Sequence, residues 1–308
     1  MIVHYTPELD RQSFYESAKV VRSLGVDVDG SFNDEDEIIL GEIEDPEVAL
    51  DVHKLGRMQN GKLIYDLFTS PGFPLISQYI DTENTWFKRE GTWPASIDTL
   101  VHLVGQDKAS DTLSRAETVW EVGCGTGFAG YHALERHQNI RTTMFSDFEP
   151  NGLHAVIYNH SESSKNRIVP VKTNGLEIDS GYKADAIIAC AIPATPVYEG
   201  LERPINPLFE GTDFLETIIR DAPERLNEGG KLIISHTNLG EQEFNSAAKK
   251  YGAKVDRVLY QRPVAFRTEF LGDQKWVDYL VAEKGMEQRE EGDWKYWHTP
   301  VVKEVSYS

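Results

Sequence analysis

Two periods of apolar residues alternate along most of this chain. Short apolar runs occur at "TVWEV" (118–122), "TTMFS" (142–146), "IVPVK" (168–172), "ADAIIAC" (184–190), "KLIIS" (231–235) and "VDRVLYQ" (255–261). A further run, "YWHTPVVKEV", lies near the C-terminus. Their length and their content of branched and aromatic residues predict strands. Helical spacing separates most of them, notably at 128–137, 150–160 and 213–227. Such alternation implies a mostly parallel sheet with helices on both faces. The last two runs are joined by "DQKWVDYLVAEKGM", which predicts an antiparallel hairpin carrying a helical insertion.

The leading segment reads differently. In "ELDRQSFYESAKVVRSLG", Phe14, Ala18, Val21 and Leu24 recur at helical spacing and the pattern stops at Gly25. "DPEVALDVHKLGRM" and "KLIYDLFTSPGFPLISQYI" continue as mainly helical, divided by "QNGK" and "SPGFP". With no Ser/Pro/Gly-rich linker, residues 1–90 are expected to form a cap packed on a domain spanning 91–308. "TWPASIDTLVHLVGQDKAS" then predicts a turn entering a helix, with Pro94 early and Ser96 or Asp98 near its first turn.

Composition narrows the function classes. Of 308 residues, 40% are hydrophobic and 26% charged, ordinary for a globular protein with a real core. Asp and Glu outnumber Lys and Arg 50 to 31, for a formal charge of −19. That charge repels phosphate backbones and anionic membranes, so nucleic acid and membrane partners are not expected. The acidic run "SFNDEDEIILGEIEDPE" reads as a solvated surface segment. Two cysteines make no disulfide framework, and neither a leader-like N-terminus nor a long apolar run is visible. The expectation is a cytoplasmic protein, with no metal site and an oligomeric state left open.

The most informative stretch is "VWEVGCGTGFAG" (119–130), where Gly123, Gly125 and Gly127 follow an apolar run at every second position. Glycine accepts positive φ and lets a ligand approach the main chain. N–H groups at the start of the following helix would then bind oxygen or negative charge. The stretch thus predicts a ligand-cradling turn at the carboxyl end of a first strand, where open α/β sheets bind ligands. Dinucleotide enzymes use such turns as well. Glu121, however, would repel a pyrophosphate and suits a cationic or amino group. Asp147, at the tip of the next run in "FSDFEPNGLHAVIYN", is placed to accept from ribose hydroxyls. Together they describe a nucleoside with a cationic tail.

"VWEVGCGTGFAG" resembles the first motif, and "FSDFEPNGLHAVIYN" the second, of class I S-adenosylmethionine-dependent methyltransferases. From about residue 92 to 265 the order of elements is similar to that fold, a seven-stranded Rossmann-like α/β sheet. The pattern most resembles the release-factor glutamine N-methyltransferases. The resemblance implies S-adenosyl-L-methionine as cofactor. By position, Gly123, Cys124, Gly125, Thr126 and Gly127 would line its methionine part. Asp147 would hold the ribose, and Phe148 would lie against the adenine. Asn174, in "VKTNGLE", stands where the family carries an acid that accepts from the adenine amine.

The chain departs from this family after the fourth strand. Where Asn-Pro-Pro-Tyr holds a planar amine, this chain has Ala191, Ile192, Pro193 and Ala194, with Tyr198 shortly after. This counts against a glutamine or adenine acceptor, while Ala191, Ile192 and Pro193 still stand beside the cofactor. Cys190 and Cys124 read as small residues of a strand end and of the turn. Trp86, Phe87 and Trp93 either close over the ligand or fasten the cap, and Trp93 is taken as substrate-binding.

Two reactions follow. A small-molecule or peptidic acceptor takes the methyl group; among His102, His132, His154, Tyr198 and His236, the candidate catalytic groups are Tyr198 and His236, both expected in loops that follow strands on the ligand side. Tyr198 is also a candidate acceptor contact. Alternatively the cofactor is its own substrate. Its α-amino group then attacks its γ-carbon, giving azetidine-2-carboxylate and methylthioadenosine. Bacterial azetidine-2-carboxylate synthases, which this chain resembles in architecture, run that reaction. A cofactor-binding partner subunit is the non-enzymatic reading.

Overall fold

The computed structural model describes residues 2–4, 31–32, 37–39, 56–59, 62–67, 76–79, 102, 105–125, 127–148, 153, 156, 167–178, 181–191, 195–202, 211–266, 271–291 and 294–307. Within the first 90 residues these form two small antiparallel sheets. One contains β1 (Ile2–His4), β2 (Ser31–Phe32) and β3 (Glu37–Ile39) in the order β1-β3-β2. The other contains β4 (Gly56–Gln59), β5 (Lys62–Leu67) and β6 (Ile76–Tyr79) in sequence. This corrects the helical expectation for "GRM", "KLIYDL" and "ISQY". Gln59 pairs with Lys62, and the sequence between them is Asn-Gly, a dipeptide that favours a tight hairpin. The apolar, partly β-branched run after it completes the strand signal. The helix expected over residues 10–25 lies outside the described residues.

The main sheet has seven strands in the order β12-β16-β11-β10-β7-β8-β9. They are β7 (Thr118–Val122), β8 (Thr142–Asp147), β9 (Arg167–Lys172), β10 (Ala184–Cys190), β11 (Leu226–Thr237), β12 (Ala253–Gln261) and β16 (Pro300–Tyr307). The first five pair in parallel, and β16 runs antiparallel between β11 and β12. A first strand in the interior, a reversal of order beside it and one inverted strand near an edge give the seven-stranded Rossmann-like sheet that the sequence resemblance implied. Between β12 and β16 lie β13 (Val264–Ala265), β14 (Glu287–Glu291) and β15 (Trp294–His298), which pair as a small sheet in the order β13-β15-β14. "YWHTPVVKEV" is therefore divided between two strands.

The described residues also include a helical stretch at 105–108, a 3-10 turn at Asn238–Gly240 and five α-helices: α1 (Ser110–Leu113), α2 (Phe128–Arg136), α3 (Asp213–Arg225), α4 (Glu241–Tyr251) and α5 (Gln274–Glu283). The central strands β7, β8 and β10 are apolar on both faces because both faces are covered. Neighbouring residues separate between two cores, as a period of two requires. Val119, Phe145, Ile188, Ile233 and Val302 join Ala109, Leu113, Ala129 and Ala133 on one side. Trp120, Met144, Ile187, Leu232 and Ile234 join Leu215, Ile218, Phe244 and Ala247 on the other. The buried Trp120 indole donates to Ser146 Oγ at 2.7 Å, so this large ring leaves no polar atom stranded.

Candidate functional site

The carboxyl ends of β7, β8, β10 and β11 share one edge, since Val122 pairs with both Ser146 and Ala189, and Cys190 with Ser235. The glycine turn opens from that edge between β7 and α2. Gly123, Gly125 and Gly127 have φ of 63°, 51° and 79°, the left-handed region that costs other L-residues strain. A further constraint acts at Gly127, where an added Cβ would lie 2.7 Å from Val156 Cγ2 and 2.9 Å from Phe145 Cε1. Three hydrogen bonds then fix the turn. Cys124 N–H donates to the Ser146 carbonyl at 3.0 Å, extending the β7–β8 ladder, and Gly127 N–H donates to the Cys124 carbonyl at 2.7 Å. Gly125 N–H donates to Asp147 Oδ2 at 2.7 Å. Gly123 is exposed although Val122 and Cys124 beside it are buried, leaving main chain open at the strand end.

Glu121 is only 5% exposed. Its two oxygens accept from the first turn of α2, Oε1 from Ala129 N–H at 3.1 Å and Oε2 from Gly130 N–H at 2.7 Å. These amides have no intrahelical partner, and a carboxylate is well matched to a helix N-terminus. Burial pushes the Glu121 carboxyl up to about 8, against the two amides that lower it, with the neighbouring Asp147 charge raising it further. The expectation of helix-start amides open to a ligand's negative charge is thus corrected for Ala129 and Gly130, whose partner is Glu121. Glu121 likewise acts inside the turn rather than as an acid displayed beside it.

Asp147 is half-buried at the tip of β8. Phe148 next to it is 56% exposed, one of two large hydrophobic side chains so exposed among the described residues. Asn174 is exposed just after β9, and its carbonyl accepts from Glu177 N–H at 3.3 Å. Ala191 is buried just after β10, its N–H donating to the Ser235 carbonyl at 2.9 Å. Cys124 is buried, and burial foremost, then the charges of Asp147 and Glu121, raises its thiol well above the ordinary value. A thiolate is therefore not available there. Neither cysteine forms a disulfide. Thr126, Ile192, Pro193, Trp93, Trp86, Phe87 and His154 lie outside the described residues.

The two candidate catalytic groups differ in placement: Tyr198 lies in the loop after β10, as its sequence position suggested, and His236 departs from it. His236 is not in a loop; it lies within β11, paired with Val301, and its side chain is 0% exposed. Its ring stacks on Phe244 at 4.6 Å between centroids, and Nδ1 is 2.9 Å from the Thr237 carbonyl. Burial, and after it the Lys303 charge, lowers this imidazole to about 4. It is a neutral group closed in beneath α4, with no surface for an acceptor. His102 is also buried and lowered to about 3, by burial first and by His132 second. His132 is buried with Nε2 3.4 Å from Asp107 Oδ1.

Tyr198 is half-buried, and its hydroxyl donates to Asp273 Oδ2 at 2.9 Å. Asp273 is the N-cap of α5, its other oxygen accepting from Lys275 and Trp276 N–H. The phenol therefore joins the segment after β10 to the insertion. Sequence reasoning had passed over Gly130 and Trp276. Gly130 is the fourth glycine of the same stretch, and an added Cβ there would lie 2.4 Å from Phe145 Cε1 and 2.7 Å from Glu121 Oε2. The glycine-rich spacing was signal enough for it; Trp276 left none. Among the described residues no cluster of His, Cys, Asp or Glu suited to a metal occurs, and no helix is long and apolar enough to cross a membrane.

No protein-family model matches the chain, and no curated protein matches it. Among solved structures it is similar to the ribosomal protein L11 methylase from Lactobacillus delbrueckii subsp. bulgaricus. That match has 18% identity over 68% of this chain and 78% of the methylase, with a TM-score of 0.43. It is also similar to the precorrin-6y C5,15-methyltransferase from Geobacter metallireducens GS-15. There the identity is 14% over 70% of this chain and 89% of the other, with a TM-score of 0.40.

Proposed function

We propose that the chain is an S-adenosylmethionine-dependent methyltransferase that acts on a small-molecule or peptidic acceptor. The observation that carries the reading is the pair of hydrogen bonds from the Ala129 and Gly130 amides to buried Glu121. A dinucleotide pyrophosphate bound at a glycine turn needs helix-start amides. Here an internal carboxyl holds these two. A second acid, Asp147, is fixed on the turn itself. The site suits a nucleoside with a positively charged tail and disfavours one with a phosphate tail.

The residues present fit that cofactor. Main chain exposed at Gly123, beside the Phe214 ring, is where the tail would lie, and Asp147 at the tip of β8 is the carboxylate placed for the ribose hydroxyls. Exposed Phe148 offers an apolar face for the base, and Asn174 supplies an amide acceptor near its amine. When bound, S-adenosylmethionine supplies a methyl group activated by a sulfonium. The chain's own part would be to orient that tail and to hold the acceptor in line with it. Such alignment is worth about 7–11 kcal/mol of barrier at best. A net charge of −19 favours neutral or cationic acceptors over nucleic acid.

The nucleoside product tests the reading. Purified protein is incubated with S-adenosylmethionine, alone and with a small-molecule or peptide extract. S-adenosylhomocysteine that forms only when extract is present is the expected outcome. Methylthioadenosine accumulating without extract would replace methyl transfer by cyclisation of the cofactor.

A further inference from the structure

We infer that the insertion between β12 and β16 is the acceptor-side wall of the site, and that Trp276 and Tyr198 are positioning residues that hold the segment after β10 against it. The functional half of this inference rests on the methyltransferase reading above.

The strand register puts the two on one edge. β12 runs parallel to β11, because both are antiparallel to β16, and Gln261 and His236 are both paired with Val301. The insertion therefore leaves β12 from the same carboxyl edge that carries the glycine turn. It has its own apolar core of Phe266, Leu271, Trp276, Val277, Leu280 and Met286, continuous with Leu239 after β11. Val197, Tyr198 and Leu201 pack against this core, although they follow β10, far away in sequence.

Two hydrogen bonds lock the contact in place. The fully buried Trp276 indole N–H donates to the Pro196 carbonyl at 2.7 Å, a bond that spans 80 residues. The Tyr198 hydroxyl donates to Asp273, the residue that starts α5. Thr195 is bridged to Gly211, whose N–H donates to the Thr195 carbonyl at 2.9 Å, closing the base of the excursion. On the other side, Ala191 is tied to Ser235. A buried carbonyl such as that of Pro196 is costly to leave unpaired, so the segment and the insertion move as one. Val122, just before the glycine turn, pairs with Ala189 near the end of β10, so the chain leaving β10 starts beside that turn. Here the side chains that fix its course come from the insertion rather than from the sheet.

The test uses the full chain with Trp276→Phe, which keeps an apolar ring and deletes the N–H donor, and with Tyr198→Phe. Three quantities are read: amide hydrogen exchange by mass spectrometry, the affinity for S-adenosylhomocysteine, and labelled methyl transfer into graded amounts of a desalted extract. Trp276→Phe is expected to speed exchange in 195–202 and to raise the half-saturating amount of extract about tenfold, the equivalent of one net hydrogen bond. Maximal rate and S-adenosylhomocysteine affinity stay within about twofold. Tyr198→Phe moves the same quantities in the same direction, by less. Unchanged exchange in 195–202 overturns the inference. So does a uniform loosening of the sheet, or a loss of S-adenosylhomocysteine affinity in step with transfer. Wild-type protein that binds no S-adenosylhomocysteine refutes the methyltransferase reading instead, and exchange confined to 195–202 then still decides whether the clamp exists.

Discussion

The two sides of the carboxyl edge are built by different means. On the glycine side every fixing contact is short-range in space and uses the main chain. Glu121 and Asp147 each sit at a strand tip and bind amides of the turn or of α2. On the β10 side, beside the main-chain bonds of Ala191 and Thr195, the segment is held by side chains 75 and 80 residues away. The first construction holds one geometry whatever surrounds it. The second lets an inserted element reset the neighbouring wall without disturbing the turn. A cofactor shared by many reactions suits the first, and an acceptor particular to one enzyme suits the second.

Substitutions on each side sharpen this contrast. Gly130→Ala should have the largest effect, since its Cβ meets Phe145 and the Glu121 carboxyl in a closed core. Overpacking together with loss of the buried cap predicts destabilisation by about 3 kcal/mol or more in urea unfolding. Gly181→Ala, where nothing lies within 4 Å of an added Cβ, should change stability by less than about 0.5 kcal/mol. Equal losses at the two sites would show that the turn is not specially braced.

Glu121 gives the next test, through pH. Its carboxyl is raised to about 8 when folded, chiefly by burial, against an ordinary 4.5. Asp147, Cys124 and Tyr131 are the titratable groups coupled to it. A raised acid favours the folded state most below its unfolded value, and that stabilisation is lost as pH rises from about 4.5 through about 8. Glu121→Gln removes the titration. The stability of wild type minus that of the variant should therefore fall across this window, and a difference that is flat or rises would contradict the buried-acid account.

On the opposite side, Trp276→Phe should cost about 1–3 kcal/mol, the range for a buried carbonyl left without its donor. The loss should register in local exchange around 195–202 rather than at the turn. Tyr198→Phe should have a smaller effect, because its bond to Asp273 is only partly buried, whereas the Trp276 bond is buried.

How far each side was legible in the sequence follows from the same difference. "TVWEV" and "ADAIIAC" coincide with β7 and β10, because buried parallel strands are continuous apolar runs between breakers. The inverted last strand and its helical insertion also followed from pattern. The glycine turn and Asp147 are local signals, whereas the partners of Glu121 were missed: a helix N-terminus was read as empty when an acid eight and nine residues upstream fills it. His236 was misplaced because β11 continues to Thr237, past the "KLIIS" run. Trp276 and Tyr198 carry no local signal at all, since their partners are set by tertiary packing. In "KLIYDL", helical habit was read past the Asn-Gly signal of "QNGK", and the segment is a strand paired with Gly56–Gln59.

The central claim is that the turn between β7 and α2 holds a sulfonium nucleoside, with Asp147 on its ribose. Calorimetry of S-adenosylhomocysteine binding to wild type and to Asp147→Ala measures it most directly. Saturable binding to wild type, weakened in the variant by about 1.5–3 kcal/mol, the scale of a hydrogen bond to a charged group, is the predicted result. Absence of binding to wild type, or equal affinity in the two proteins, would contradict it.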